Sequence, residues 1–163
     1  MSTTVVYPGT FDPVTLGHID IIERASHMFD QVIVAVAKRP EKETLFEFDE
    51  RVDLVKDCLE GKDKIKVEGF SELLTDFLKH HRTHTIIRGV RAYSDFEYEV
   101  QLASMYRRLM PNIECVYLLP SEKNMNVSSS LVREVARLNG DVSSCVPDFV
   151  AQALQAKVHE NMN

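Results

Sequence analysis

Four short stretches of this chain carry residue types suited to gripping phosphate. The first reads Tyr7-Pro8-Gly9-Thr10-Phe11-Asp12-Pro13-Val14-Thr15-Leu16-Gly17-His18. Two prolines and two glycines fix the path of such a loop and permit close backbone approach, and a helix opening near Gly17 aims unpaired amides and a positive dipole end at an anion. His18, in that first turn, is suited to donate a hydrogen bond to a phosphate oxygen, although a histidine taken alone serves more often in capping or facing solvent. The second stretch, Lys38-Arg39-Pro40-Glu41-Lys42, sets three cations within five residues and reads as a phosphate clamp or as a solvated charged loop. The third, Arg88-Gly89-Val90-Arg91, puts two guanidinium forks on a turn whose glycine lets the backbone come close, unless its arginines anchor loops through carbonyls. The fourth, Ser128-Ser129-Ser130-Leu131-Val132-Arg133-Glu134, opens a helix with three hydroxyls, of which capping alone explains one.

These groups suit displacement at phosphorus, catalysed by positioning and charge. No G-x-S-x-G elbow occurs, and none of the strand-following loops carries a cysteine, so no activated nucleophile is indicated. The G-x-G-x-x-G fingerprint and the G-K-[ST] of a P-loop are also missing, which disfavours a hydride-transferring dinucleotide enzyme.

Such groups must be delivered to one place, and the hydrophobic pattern shows how. Short β-branched runs at 3–7, 31–37, 65–69, 85–88 and 115–119 alternate with stretches of helical spacing at 17–28, 49–59, 72–81, 95–110 and 129–139. Ser94 with Glu97 is expected to form a capping box, Gly140 to close a helix, and Pro147 to open a last one. This alternation predicts an α/β protein, a Rossmann-like doubly wound five-stranded parallel sheet with helices on both faces and a C-terminal helix, in a single domain over 1–163. Ligands of such sheets bind beyond the carboxyl ends of the strands, where the strand order reverses. All four phosphate-seeking stretches follow strands.

Composition sets the outer bounds. With 25 acidic and 19 basic residues the net charge is -6, the opposite of a general nucleic-acid binder. The longest apolar run, 32–37, falls far short of the ~20 residues of a membrane span. No membrane association and a cytoplasmic location are expected. Cys58, Cys115 and Cys145 show no paired spacing, and His80, His81 and His84 suit a helix end, so neither a disulfide framework nor a metal site is predicted.

The loop at 7–13 with Gly17-His18, Arg88-Gly89-Val90-Arg91, Asp95-Phe96-Glu97-Tyr98-Glu99 and Ser128-Ser129-Ser130-Leu131-Val132 together resemble the bacterial phosphopantetheine adenylyltransferases. Thr15-x-Gly17-His18 is similar to the T/H-x-G-H signature of the wider nucleotidyltransferase superfamily. The resemblance implies transfer of an adenylyl group from ATP to 4′-phosphopantetheine, with dephospho-coenzyme A and pyrophosphate as products. It also implies magnesium arriving with ATP, a homohexamer, and feedback by coenzyme A. His18, Lys42 and Arg91 would be catalytic. Thr10, Lys42, Leu74 and Arg88 would hold phosphopantetheine. ATP would meet Thr10, Phe11, His18, Gly89, Val90, Arg91, Glu99 and the run Asn124-Met125-Asn126-Val127-Ser128-Ser129-Ser130. That run departs from the family, whose members usually carry an aromatic residue and a serine where this chain has Asn124-Met125-Asn126. Two rivals are a nucleotidyltransferase acting on another phosphate, such as nicotinamide or nicotinate mononucleotide or glycerol phosphate, and a protein that senses ATP or coenzyme A without turnover.

Overall fold

Val5 and Val6 are neighbours in the chain, must face opposite ways in a strand, and are both fully buried. Their strand, β1 (Thr4–Gly9), is therefore covered on both faces. The computed structural model describes residues 3–39 and 43–160. Around β1 stand β2 (Gln31–Ala37), β3 (Ile65–Phe70), β4 (Thr85–Gly89) and β5 (Glu114–Leu118), paired in parallel in the order β3-β2-β1-β4-β5. The order reverses between β1 and β4, so the crevice of this doubly wound sheet opens beyond the ends of those two strands.

The helices are α1 (Leu16–Met28), α2 (Phe48–Cys58), α3 (Leu74–His80), α4 (Tyr93–Leu109), α5 (Ser129–Arg137) and α6 (Asp148–Glu160). Val5, Tyr7, Val34 and Ile87 pack on one face with residues of α1, α2, α5 and α6. Val6, Ile33 and Ile86 pack on the other with Leu74, Phe77 and Leu78 of α3 and with Met110, which ends α4. Burial on both faces explains why β2 reads as a continuous apolar run and not as an alternation. Among the described residues, no helix is long and apolar enough to cross a membrane.

Several boundaries differ from the sequence expectation. β1 continues through Pro8 and Gly9, paired with Ala35 and Val36 of β2. Its register with β4 is at Val6↔Ile86, and the Pro8 carbonyl accepts from Arg88 Nη1 at 3.3 Å, so the proline faces a side where no ladder amide is needed. Ser94 and Glu97 do not form a capping box: α4 starts two residues earlier, after Ala92, and Asp95 Oδ2 accepts from the Arg91 amide at 3.2 Å. Asn139, with φ of 57°, takes the left-handed position after α5 that was expected of Gly140. Gly140 donates to the Val135 carbonyl at 2.9 Å, where a Cβ would lie 2.5 Å from Val135 Cγ1. Pro147 precedes α6, its carbonyl accepting from Ala151 at 2.9 Å.

Candidate active site

The parting of β1 and β4 leaves a cavity of about 560 Å³ whose walls come from every part of the chain that the order reversal brings together. Thr10, Phe11, His18, Arg88, Gly89, Arg91, Glu99, Asn124, Val127, Ser128, Ser129 and Ser130 line it, as do Arg39, Asp12 and Arg133.

The loop after β1 is built inward from its aromatic residues. Phe11, at φ 51°, turns its ring beneath the loop, edge-on to Tyr7 at 5.6 Å and to His18 at 4.9 Å. Gly9 permits this, since a Cβ there would sit 2.9 Å from the Phe11 ring. Phe11 is 2% exposed and still lines the cavity. Asp12 accepts from the amides of Leu45 and Phe46, both at 2.9 Å, and its carboxylate lies 3.6 Å from Arg133.

His18 is a cap and a ligand-facing group at once. Its amide donates to the Thr15 hydroxyl at 3.3 Å, while the Thr15 amide donates to His18 Nδ1 at 3.0 Å. An Nδ1 that accepts from an amide leaves the proton of the neutral ring on Nε2. Burial, and then the positive charge of Arg91, lowers the His18 pKa to about 4. The ring is therefore neutral at pH 7, with an Nε2–H to offer. Burial also pushes the Tyr7 phenol up to about 12, keeping it protonated beneath the site.

Carboxylates aim the arginines. Glu99 accepts from Arg88 Nε and Nη2, both at 2.7 Å, a bidentate pair in the wall. Burial works against the Arg88 charge, but the hydrogen bonds and charge of Glu99 overcome it and raise the pKa. Arg91 lies 3.4 Å from Asp95 and donates to the Val127 carbonyl at 3.2 Å, tying the turn after β4 to the segment before α5. Asp20 anchors that segment from α1 by accepting from the Ser121 amide at 2.6 Å.

The three serines divide their work. Ser128 caps α5 by accepting from Leu131 at 3.2 Å, Ser129 donates to the Pro13 carbonyl at 2.8 Å, and Ser130 accepts from Arg133 at 3.4 Å. Ser129 spends its proton on Pro13, whereas Ser128 and Ser130 accept and keep their O–H donors, so α5 presents those hydroxyls together with the amides of its opening turn to an anion.

Four of the expected residues are not among those lining the cavity. Val90 is buried and donates to the Leu118 carbonyl at 3.0 Å, and Leu74 packs in the core below the sheet. Met125 and Asn126 do not line the cavity. Lys42 lies outside the described residues. Asp12, Arg39 and Arg133 line the cavity but were missed as site residues; Arg133, one turn into the helix that the serines open, was the most legible of them.

The cavity places His18, paired arginines and a helix start around one space, the arrangement of a site that meets charge developing on phosphate oxygens. The family model for cytidylyltransferase-like proteins matches residues 6–135. The chain is 52% identical over 152 residues to a phosphopantetheine adenylyltransferase of Hahella chejuensis, covering 93% of this chain and 94% of that protein. This chain belongs to the cytidylyltransferase-like family, among its phosphopantetheine adenylyltransferases.

Solved structures agree on the fold. A putative nicotinate-nucleotide adenylyltransferase of Vibrio parahaemolyticus superposes with a TM-score of 0.70 at 16% identity, over 97% of this chain and 95% of that one. A lipopolysaccharide core biosynthesis protein of Thermoplasma volcanium gives 0.56 at 20% identity, over 75% of this chain and all of that one. Membership in this cytidylyltransferase-like family thus accounts for the layered fold and for the position of the cavity in the crevice between β1 and β4.

Proposed function

We propose that the chain transfers the adenylyl group of ATP to 4′-phosphopantetheine, giving dephospho-coenzyme A and pyrophosphate. The observation that carries the reading is that one cavity is lined by two sets of phosphate-seeking groups. His18, Arg91 and the start of α5 are one set, for the triphosphate, and Thr10 with Arg88 is the other, for an acceptor phosphate. The close relative named for this activity supports the choice of acceptor.

In this proposal an oxygen of the acceptor phosphate attacks the α-phosphorus and pyrophosphate departs from the opposite side, with no bond to the protein. Negative charge spreads over the α-phosphate oxygens and grows on the leaving group. His18 Nε2–H donates to one of those oxygens, and Arg91 and the α5 amides take up charge on the triphosphate. Lys42 is assigned to the acceptor phosphate beside Thr10.

Magnesium in this account comes with the nucleotide. Among the described residues no group of three or more His, Cys, Asp or Glu is placed to hold a metal, and Asp12, Asp95 and Glu99 in the wall face Arg133, Arg91 and Arg88. Triphosphate oxygens and water are thus its natural ligands, and the ion would screen the leaving group's charge. A cytoplasmic homohexamer, restrained by feedback from coenzyme A, completes the proposal.

The test is pyrophosphate release from purified protein with magnesium and ATP, offering phosphopantetheine, nicotinamide mononucleotide or no acceptor. Release with phosphopantetheine alone is expected. Release with the mononucleotide instead moves the protein to another acceptor class, and binding without release makes it a sensor.

A further inference from the structure

We infer that Arg51 is a positioning residue for the acceptor half of the site. Arg51 is 2% exposed, the largest fully buried side chain among the described residues, and it stands in α2, outside the cavity wall. Burial pulls its pKa down, partly offset by the charges of Asp12 and Glu47. A buried guanidinium is costly unless its N–H groups find partners.

Its partners are backbone carbonyls of three separate segments. Arg51 Nη1 donates to the Thr10 carbonyl at 2.6 Å and to the Ala37 carbonyl at 2.9 Å, and Nε donates to the Phe46 carbonyl at 3.3 Å. Thr10 follows β1, Ala37 ends β2, and Phe46 precedes α2. The planar fork thereby fixes where the chain leaves β2 and where it rejoins the core, both relative to Thr10. Thr10 lines the cavity, and so does Arg39, two residues past Ala37. Asp12 reinforces the arrangement through the Leu45 and Phe46 amides. By contrast, His18, Arg91 and the start of α5 are held by Thr15, Asp95 and Ser128. Ser129 and Arg133 tie α5 to the same loop at Pro13 and Asp12, but Arg51 itself bonds to Thr10, Ala37 and Phe46 and to none of His18, Arg91 or α5.

The inference rests on the proposed reaction, so the wild-type protein must first release pyrophosphate with ATP and phosphopantetheine; its failure there overturns the reaction and not the support geometry. Arg51→Lys keeps the charge but replaces the fork with a single ammonium. We expect the KM for phosphopantetheine to rise roughly 10- to 100-fold, the range for losing hydrogen bonds from a charged donor, while the KM for ATP stays within about twofold. An equal rise in both constants, or an unchanged acceptor KM, overturns the role. If the variant does not fold, the Arg51 Nε–H resonance of wild-type protein decides. It should shift on adding phosphopantetheine and stay in place with ATP alone, and the reverse pattern refutes the inference.

Discussion

Thr15 and His18 close the first turn of α1 on each other, the hydroxyl of Thr15 accepting from the His18 amide at 3.3 Å and the Thr15 amide donating to His18 Nδ1 at 3.0 Å. The capping and catalytic readings of His18 are therefore one arrangement. The cap holds the ring, and the held ring presents Nε2–H to the cavity.

Removing the ring and removing the hydroxyl should have different effects. His18→Ala is expected to lower turnover by roughly 10²- to 10³-fold, as loss of one transition-state donor does, with ATP affinity little changed. Thr15→Val keeps the amide that sets the tautomer; it should cost about 1 kcal/mol of stability through the lost cap and reduce turnover far less. Steady-state kinetics beside calorimetric ATP binding make the comparison, and equal loss of turnover and ATP affinity in His18→Ala contradicts the transition-state role.

The histidine also sets a pH dependence. The His18 pKa is lowered from 6.5 to about 4 by burial and then by Arg91, so the unfolded chain takes up this proton before the folded one does. Stability linked to His18 is complete above pH 6.5 and is lost as pH falls toward about 4. NMR titration of the free protein should find the ring neutral at pH 5. A ring that titrates near pH 6.5 contradicts the buried, Arg91-facing environment.

Glu99 was expected at the nucleotide, but its carboxylate is taken by Arg88. Glu99→Gln should therefore weaken phosphopantetheine more than ATP, by roughly 10-fold, the scale of one charged hydrogen bond. Separate KM values for the two substrates check this. A larger effect on ATP would return Glu99 to direct nucleotide contact.

Asp12, 3% exposed, accepts two amides with its two carboxylate oxygens. Asp12→Asn offers a single oxygen and sets an NH₂ against an amide donor, so a loss of about 2 kcal/mol is expected. Denaturant unfolding measures it, and unchanged stability would mean the two bonds contribute nothing net.

The sheet was legible because strands buried on both faces announce themselves as short β-branched runs, and because each phosphate-seeking motif directly follows one. Hydrogen bonds that span the chain were not legible. Arg51 reaches Thr10 across 41 positions and Arg133 reaches Asp12 across 121, and no local pattern marks either partner. Ser94 with Glu97 matched a capping pattern by spacing, but α4 begins earlier and takes its support from Asp95. Val90 belongs to a motif whose flanking residues face the cavity, yet its own amide is spent on the Leu118 carbonyl.

Lys42, outside the described residues, is assigned to the acceptor phosphate by the family resemblance. Lys42→Ala should weaken phosphopantetheine binding more than ATP binding. Calorimetry giving the opposite order removes the lysine from the acceptor phosphate.

The central claim is that one cavity holds both substrates for a single displacement at phosphorus. The most direct test uses ATP made chiral at the α-phosphorus by sulfur, reacted with phosphopantetheine and read by phosphorus NMR of the product. Inversion of configuration is predicted, because the acceptor attacks opposite the departing pyrophosphate. Retention would require two displacements and a bond to the protein, and it would contradict the account.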